Sequence, residues 1–175
     1  MLKLLAPLVR WQTLKFERHY HYDTQYLRKL FALSPCAFMR FRHVLDNSNF
    51  AQGVPAAALY TVKFLSIARE DCGPCAQLTL DQAREAGVST QDLQALVARD
   101  PDRLSPDALL GWTYAEAVLD HSPETSQWCE AVVARWGTPA LASLALTLVT
   151  ARSFPAMKQA LGVASASCQR LEVKP

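Results

Sequence analysis

Four times in this chain a capping hydroxyl is followed at once by proline: Ser34-Pro35, Ser105-Pro106, Ser122-Pro123 and Thr138-Pro139. A side-chain oxygen at a helix N-cap accepts a bond from an orphan backbone N–H, and a proline at the first helical position has no N–H to lose. Apolar residues follow at helical spacing: Phe38, Phe41 and Leu45 after Ser34, and Leu141, Leu144, Leu148 and Val149 after Thr138. Ser89 with Asp92 makes a fifth start, of capping-box type, ahead of Leu93, Leu96 and Val97. Gly87 and Gly137 stand where helix C-terminal glycines belong. The alternation of apolar and polar residues that marks a strand is nowhere sustained. The chain is therefore expected to be all-α, with about eight helices and short loops.

The spacing places helices at 3–20, 23–33 and 35–47, then a turn at Gln52-Gly53-Val54-Pro55 before a long apolar helix reaching about residue 69. A helix opened by Cys72-Gly73-Pro74-Cys75 ends before Gly87, and others run over about 90–99, 106–120, 124–136 and 139–153. Pro155 is expected to break the last of these, leaving a short helix to Leu161, because an interior proline lacks the N–H of its turn. Composition agrees: alanine and leucine supply 51 of 175 residues against 6 glycines, a balance that favours helices over a sandwich or barrel. Half of the chain is apolar, enough to offset the entropy of ordering, which excludes a disordered chain. A membrane span is not expected, since no stretch of the sequence approaches ~18 uncharged apolar residues. The first eleven residues look like a weak signal peptide without a long apolar core or a small-residue cleavage site, and are read as mature, cytoplasmic sequence.

Charge is unevenly spread. Residues 1–43 carry eight Lys/Arg against Glu17 and Asp23, and also eight of the sixteen aromatic residues, while the remainder is net acidic. Basic plus aromatic is a nucleic-acid pattern. No zinc-finger or RNA-binding aromatic motif accompanies it, so the expectation is an amphipathic arm packing on the acidic body or on a neighbouring subunit, with no nucleic-acid partner.

Five cysteines, an odd number, argue against a disulfide framework. Cys36, Cys129 and Cys168 are isolated, and the first two are expected to be buried as apolar side chains. Cys72 and Cys75, two residues apart at a helix start, can close a reversible disulfide across one turn, and the helix N-terminus favours a thiolate there. Zinc normally takes four ligands, usually two such pairs, and only one is present, so no metal and no cofactor is expected. Structural cysteines and redox use both remain open. Cys-Gly-Pro-Cys is also the thioredoxin tetrapeptide, but Asp71 stands where thioredoxins carry tryptophan and the rest of the chain is helical. A thioredoxin fold is rejected.

An all-α chain with CxxC at a helix start, after a long apolar helix, resembles the AhpD-like, carboxymuconolactone decarboxylase-like superfamily. The fragments Glu70-Asp71-Cys72-Gly73-Pro74-Cys75 and Phe154-Pro155-Ala156-Met157-Lys158-Gln159-Ala160-Leu161-Gly162 are similar to a bacterial branch of it. The resemblance implies an AhpD-like helical core over 55–162, preceded by an N-terminal helical extension, 1–54, and followed by a tail, 163–175, in a single domain. It also implies a redox cysteine pair recycled by a protein dithiol, with Cys75 attacking and Cys72 resolving; exposure at the helix end points to the reverse order. The family's acid–base relay is missing. Thr79 occupies the place of its histidine, four residues after Cys75, and Tyr60 the place of its glutamate, twelve before Cys72. A threonine hydroxyl holds no proton at neutral pH, and a tyrosine has a reference pKa near 10.

A substitute for the relay is only partly visible. The helix N-terminus lowers a thiol pKa by about one unit, whereas Glu70 and Asp71 raise it and Arg69 offsets only one of them. Lys63 is the only charged residue between Asp46 and Arg69, on a helix that the resemblance points at the CxxC. It either supports the thiolate or snorkels to solvent or an interface. His19, His21, His43 and His121 are read as surface or loop residues, not catalytic bases. Two functions follow as expectations. The first is a cytoplasmic CxxC-dependent thiol–disulfide oxidoreductase with weak alkylhydroperoxidase-like activity, acting on a peroxide or small apolar substrate. The second is a non-catalytic helical oligomer that binds a small apolar ligand or partner and keeps a vestigial CxxC. Either is expected to be a homo-oligomer.

Overall fold

The computed structural model describes residues 5–163 and 171–173. Among them every regular element is helical: α1 (Ala6–Tyr20), α2 (Gln25–Leu33), α3 (Pro35–Asn47), α4 (Ala56–Ala68), α5 (Gly73–Glu85), α6 (Thr90–Ala98), α7 (Pro106–Leu119), α8 (Thr125–Trp136) and α9 (Thr138–Ala160), with one 3-10 turn at Pro101–Arg103. The all-α expectation is met.

The local start signals act less uniformly than their sequence suggests. Ser34 and Ser89 do cap, accepting from the backbone N–H of Ala37 and Asp92. The Ser105 hydroxyl instead donates to buried Asp92, 2.9 Å away, tying the start of α7 to α6. Thr138 lies inside α9, whose cap is Gly137 at φ 87°. Helix α9 also corrects the expected break: it runs continuously through Pro155. One lost backbone bond is outweighed because buried side chains on both sides fasten the helix. Phe154 meets Phe41 edge-on at 5.9 Å, and Lys158 lies over the rings of Tyr22 and Tyr26 at 4.1 and 5.4 Å. Unbroken, the 23-residue helix is long and apolar enough to cross a membrane by length and composition, contrary to the sequence reading. Half of its most apolar window is buried within the bundle.

Helix α4 is the axis of the bundle, packed against α7, α9 and α5. Apart from half-buried Tyr60 it is buried from Ala58 through Ile67, which is what an apolar helix without a polar face requires. Its approach to α7 is close: a Cβ on Gly111 would stand 2.8 Å from the Ala58 carbonyl oxygen and 3.0 Å from its Cα. The basic aromatic arm, α1–α3, folds back on this core. Glu17 accepts from the Thr24 backbone and hydroxyl at 2.8 and 2.9 Å and pairs with Arg28 at 2.6 Å, fixing the α1–α2 turn. Val9, Tyr22, Tyr26 and Phe38 of the arm share one contiguous hydrophobic cluster with Phe64 and Leu96 of the core.

Gly111→Ala therefore tests the packing. Alanine improves helix propensity by about 1 kcal/mol, but the Cβ meets backbone that cannot rotate away. Chemical denaturation should show a net loss of about 1–3 kcal/mol, and a stabilised variant would contradict the close approach.

Candidate functional site

The turn before α5 sets the cysteines. Asp71 adopts the left-handed conformation at φ 50°, tolerated by aspartate, and Cys72 follows as the N-cap. Cys72 and Cys75 are joined as a disulfide across the first turn, with Cα atoms 5.2 Å apart. The two sulfurs face different surroundings. Cys72 is half-buried at the helix end, whereas Cys75 is 2% exposed and lines a half-open cavity of about 290 Å³ between the arm, α4 and α5.

Thr79 and Lys63 line the same cavity. Thr79 is buried and its hydroxyl donates to the Cys75 carbonyl oxygen at 3.0 Å, so it holds the turn of the helix and offers no base. Lys63 does not snorkel: it is 6% exposed, and burial pulls its pKa from 10.5 to about 8. Its ammonium donates to the Gln82 amide oxygen at 3.2 Å and lies 5.7 Å from the Tyr60 ring. Tyr60 itself is not on that wall. It is half-buried in an adjoining cleft of about 260 Å³, to which Lys63 also belongs, and its phenol is raised by burial and by Glu85. Lys63, three residues further along α4, lines the cavity that Cys75 lines, and Tyr60 does not.

Sequence reasoning missed Tyr22. Its hydroxyl lies 3.5 Å from Cys75 Sγ, in a buried contact spanning 53 residues of chain. Burial first, then the neighbouring Tyr26 and Asp23, push its pKa well above 10, so it stays a protonated donor. Lys158, whose own pKa burial lowers, stacks beneath its ring. A tyrosine in a basic aromatic arm carries no local signal of such a contact; only the fold supplies it.

The charges beside the pair also differ from the sequence reading. Arg69 bonds Glu116 and Asp120 at 3.0 and 2.6 Å, while Glu70 is neutralised by Arg152 of α9 at 2.6 Å. Behind the motif, the Gln77 amide makes two hydrogen bonds with the Glu172 backbone, at 3.0 and 2.8 Å, so the tail clasps α5. Two cysteine expectations are corrected. Cys36 is exposed and Cys129 only half-buried. Cys36 lies about 200° around α3 from buried Phe38, at 100° per residue, and so points outward. Cys168 lies outside the described residues. His19 and Tyr20 both bond Glu85, at 2.8 and 2.6 Å, away from the thiols. No cluster of three or more His, Cys, Asp or Glu that could hold a metal occurs among the described residues. The chain matches no protein-family model, no curated protein and no solved structure.

Two measurements probe this geometry. Tyr22→Phe removes the donor to the Cys75 sulfur, and a hydrogen bond to a charged group is worth about 1.5–3 kcal/mol. The thiol pKa of Cys75, read from thiolate absorbance in a Cys72→Ser background, should rise by about one unit; an unchanged value would remove Tyr22 from the site. Lys63 is charged in the unfolded chain up to 10.5 but in the folded protein only to about 8. Below pH 8 it therefore weakens the fold by about 3 kcal/mol, a penalty relieved as pH rises towards 10.5. Lys63→Met should be the more stable protein at pH 7 and should lack the rise in stability between pH 8 and 10.5. Equal stability at pH 7 would show that Lys63 is solvated.

Proposed function

We propose that this chain is a cytoplasmic thiol–disulfide oxidoreductase of AhpD-like fold, working through Cys72 and Cys75. The observation that supports it is the division between the two sulfurs: Cys75 is buried and lines a half-open cavity, and Cys72, bonded to it, is the half-buried N-cap of α5. A small substrate enters from the cavity side and a protein dithiol approaches from the surface.

With a hydroperoxide, the Cys75 thiolate attacks the distal oxygen and the O–O bond breaks. The alkoxide leaves and takes a proton as the alcohol, and Cys75 becomes a sulfenic acid. The Cys72 thiolate attacks that sulfur, hydroxide departs and takes a proton from solvent to become water, and the disulfide closes. An external protein dithiol then attacks Cys72 Sγ, releasing the Cys75 thiolate, and its second thiol resolves the mixed disulfide. Two electrons pass from the dithiol to the peroxide. Tyr22 and the start of α5 stabilise the thiolate at Cys75. No imidazole stands on the cavity wall to carry the proton, so peroxide turnover is slow and dithiol exchange is the main reaction. The protein associates with further copies of itself, and Leu8 and Trp11, exposed on one face of α1, are the apolar residues for that contact.

Equilibration against dithiothreitol couples tests the redox reading. The expected reduction potential lies between about −180 and −270 mV, the range of cellular dithiol carriers, and Cys75→Ser should abolish slow consumption of cumene hydroperoxide. A potential below about −300 mV would mark a structural bond and favour the non-catalytic, ligand-binding alternative.

A further inference from the structure

The cavity beside Cys75 contains a cation that thiol exchange does not require. Lys63 is 94% buried and has no carboxylate partner among the described residues; its one acceptor is the neutral Gln82 amide. An ammonium carries three N–H donors. One goes to Gln82, and the Tyr60 ring 5.7 Å away interacts with the charge without accepting a strong bond. A buried cation in this state lacks the counter-charge that would offset its desolvation. The rest of the lining is mostly apolar, with Phe16, Leu27, Phe38 and Leu78 among it, and its one other cation, Arg42, is exposed. At about 290 Å³ the space is at the small end of ligand sites.

One ammonium with donors to spare suits a single negative charge. A phosphate dianion would call for a second buried cation, and Arg42, the other cation on the lining, is exposed. The apolar remainder suits an unbranched chain, each methylene of which gains by leaving water. We propose that the cavity binds a medium-chain aliphatic monocarboxylate, its carboxylate on Lys63 and its chain along the apolar wall beside Cys75. The proposal goes beyond the redox reading and does not depend on it, because binding moves no electrons and the oxidised protein is the species that binds.

Calorimetric titration of the oxidised full chain at pH 7 with octanoate, and in parallel with octanol, separates charge from chain. Octanoate should bind at least tenfold more tightly than octanol, as expected for a charge-assisted hydrogen bond. Hexanoate, two methylenes shorter, should bind at least fivefold more weakly than octanoate. Lys63→Met should erase the preference for octanoate over octanol, and Lys63→Arg should retain it. Lys63→Gln provides a second neutral variant, and circular dichroism confirms that each is folded. Absence of octanoate binding, equal binding of octanoate and octanol, or a preference that survives in Lys63→Met and Lys63→Gln would overturn the proposal. A structural reduction potential with a successful octanoate titration would overturn the redox reading alone.

Discussion

Contact between the backbones of Ala58 and Gly111 allows α7 to lie directly on α4, and much of the molecule follows from that approach. With α7 on one side and α9 and α5 on others, α4 has no face left for solvent. Polar side chains in its middle must then find partners inside the protein, and the buried Thr61 hydroxyl finds none among the described residues. Ser66 finds one by donating back to the Val62 carbonyl at 2.7 Å. Lys63 cannot, and its ammonium remains in the interior with an amide and an aromatic ring for company. A buried lysine without a countercharge weakens a fold, so its presence next to a cysteine and a cavity points to use of the charge rather than to packing.

The N-terminal arm is part of the site. Without α1–α3 the Cys75 side of α5 would open to solvent, because Phe16, Tyr22, Leu27 and Phe38 supply much of the cavity wall. Lys158 near the end of α9 holds the arm in place by lying over two of its tyrosine rings, and Tyr22 transmits that placement to the Cys75 sulfur at 3.5 Å. The continuity of α9 through Pro155 matters for this reason: a broken helix would move Lys158 away from both rings. Charge near the motif is likewise arranged from a distance, since Arg152 of α9 neutralises Glu70. A helix N-terminus, a glutamate paired with Arg152 and a buried tyrosine hydroxyl are the groups the fold sets around the cysteine pair, and neither Thr79 nor Tyr60 supplies an acid–base relay there.

Local chemistry could be read from the sequence alone. Proline after a hydroxyl residue and glycine at a helix end mark boundaries through local backbone geometry, so the helices and their order could be read directly, although only Ser34 of the four hydroxyls before proline makes the expected cap bond. The same holds for the Cys72–Cys75 pair, which helix geometry brings together whatever the rest of the chain does. Some starts were legible although their mechanism was not: Ser105 marks the beginning of α7 yet gives its hydroxyl to Asp92 of α6. Which side chains have no solvent to turn to depends on how the helices pack. That packing buried Lys63 and exposed Cys36, kept α9 whole through Pro155, brought Lys63 rather than Tyr60 to the cavity of Cys75, and set Tyr22 against a sulfur 53 residues away. The physical reason is common to all of these. Burial and long-range contact depend on how helices stack, and stacking is fixed by close approaches such as Ala58 on Gly111, which no spacing within a single helix encodes.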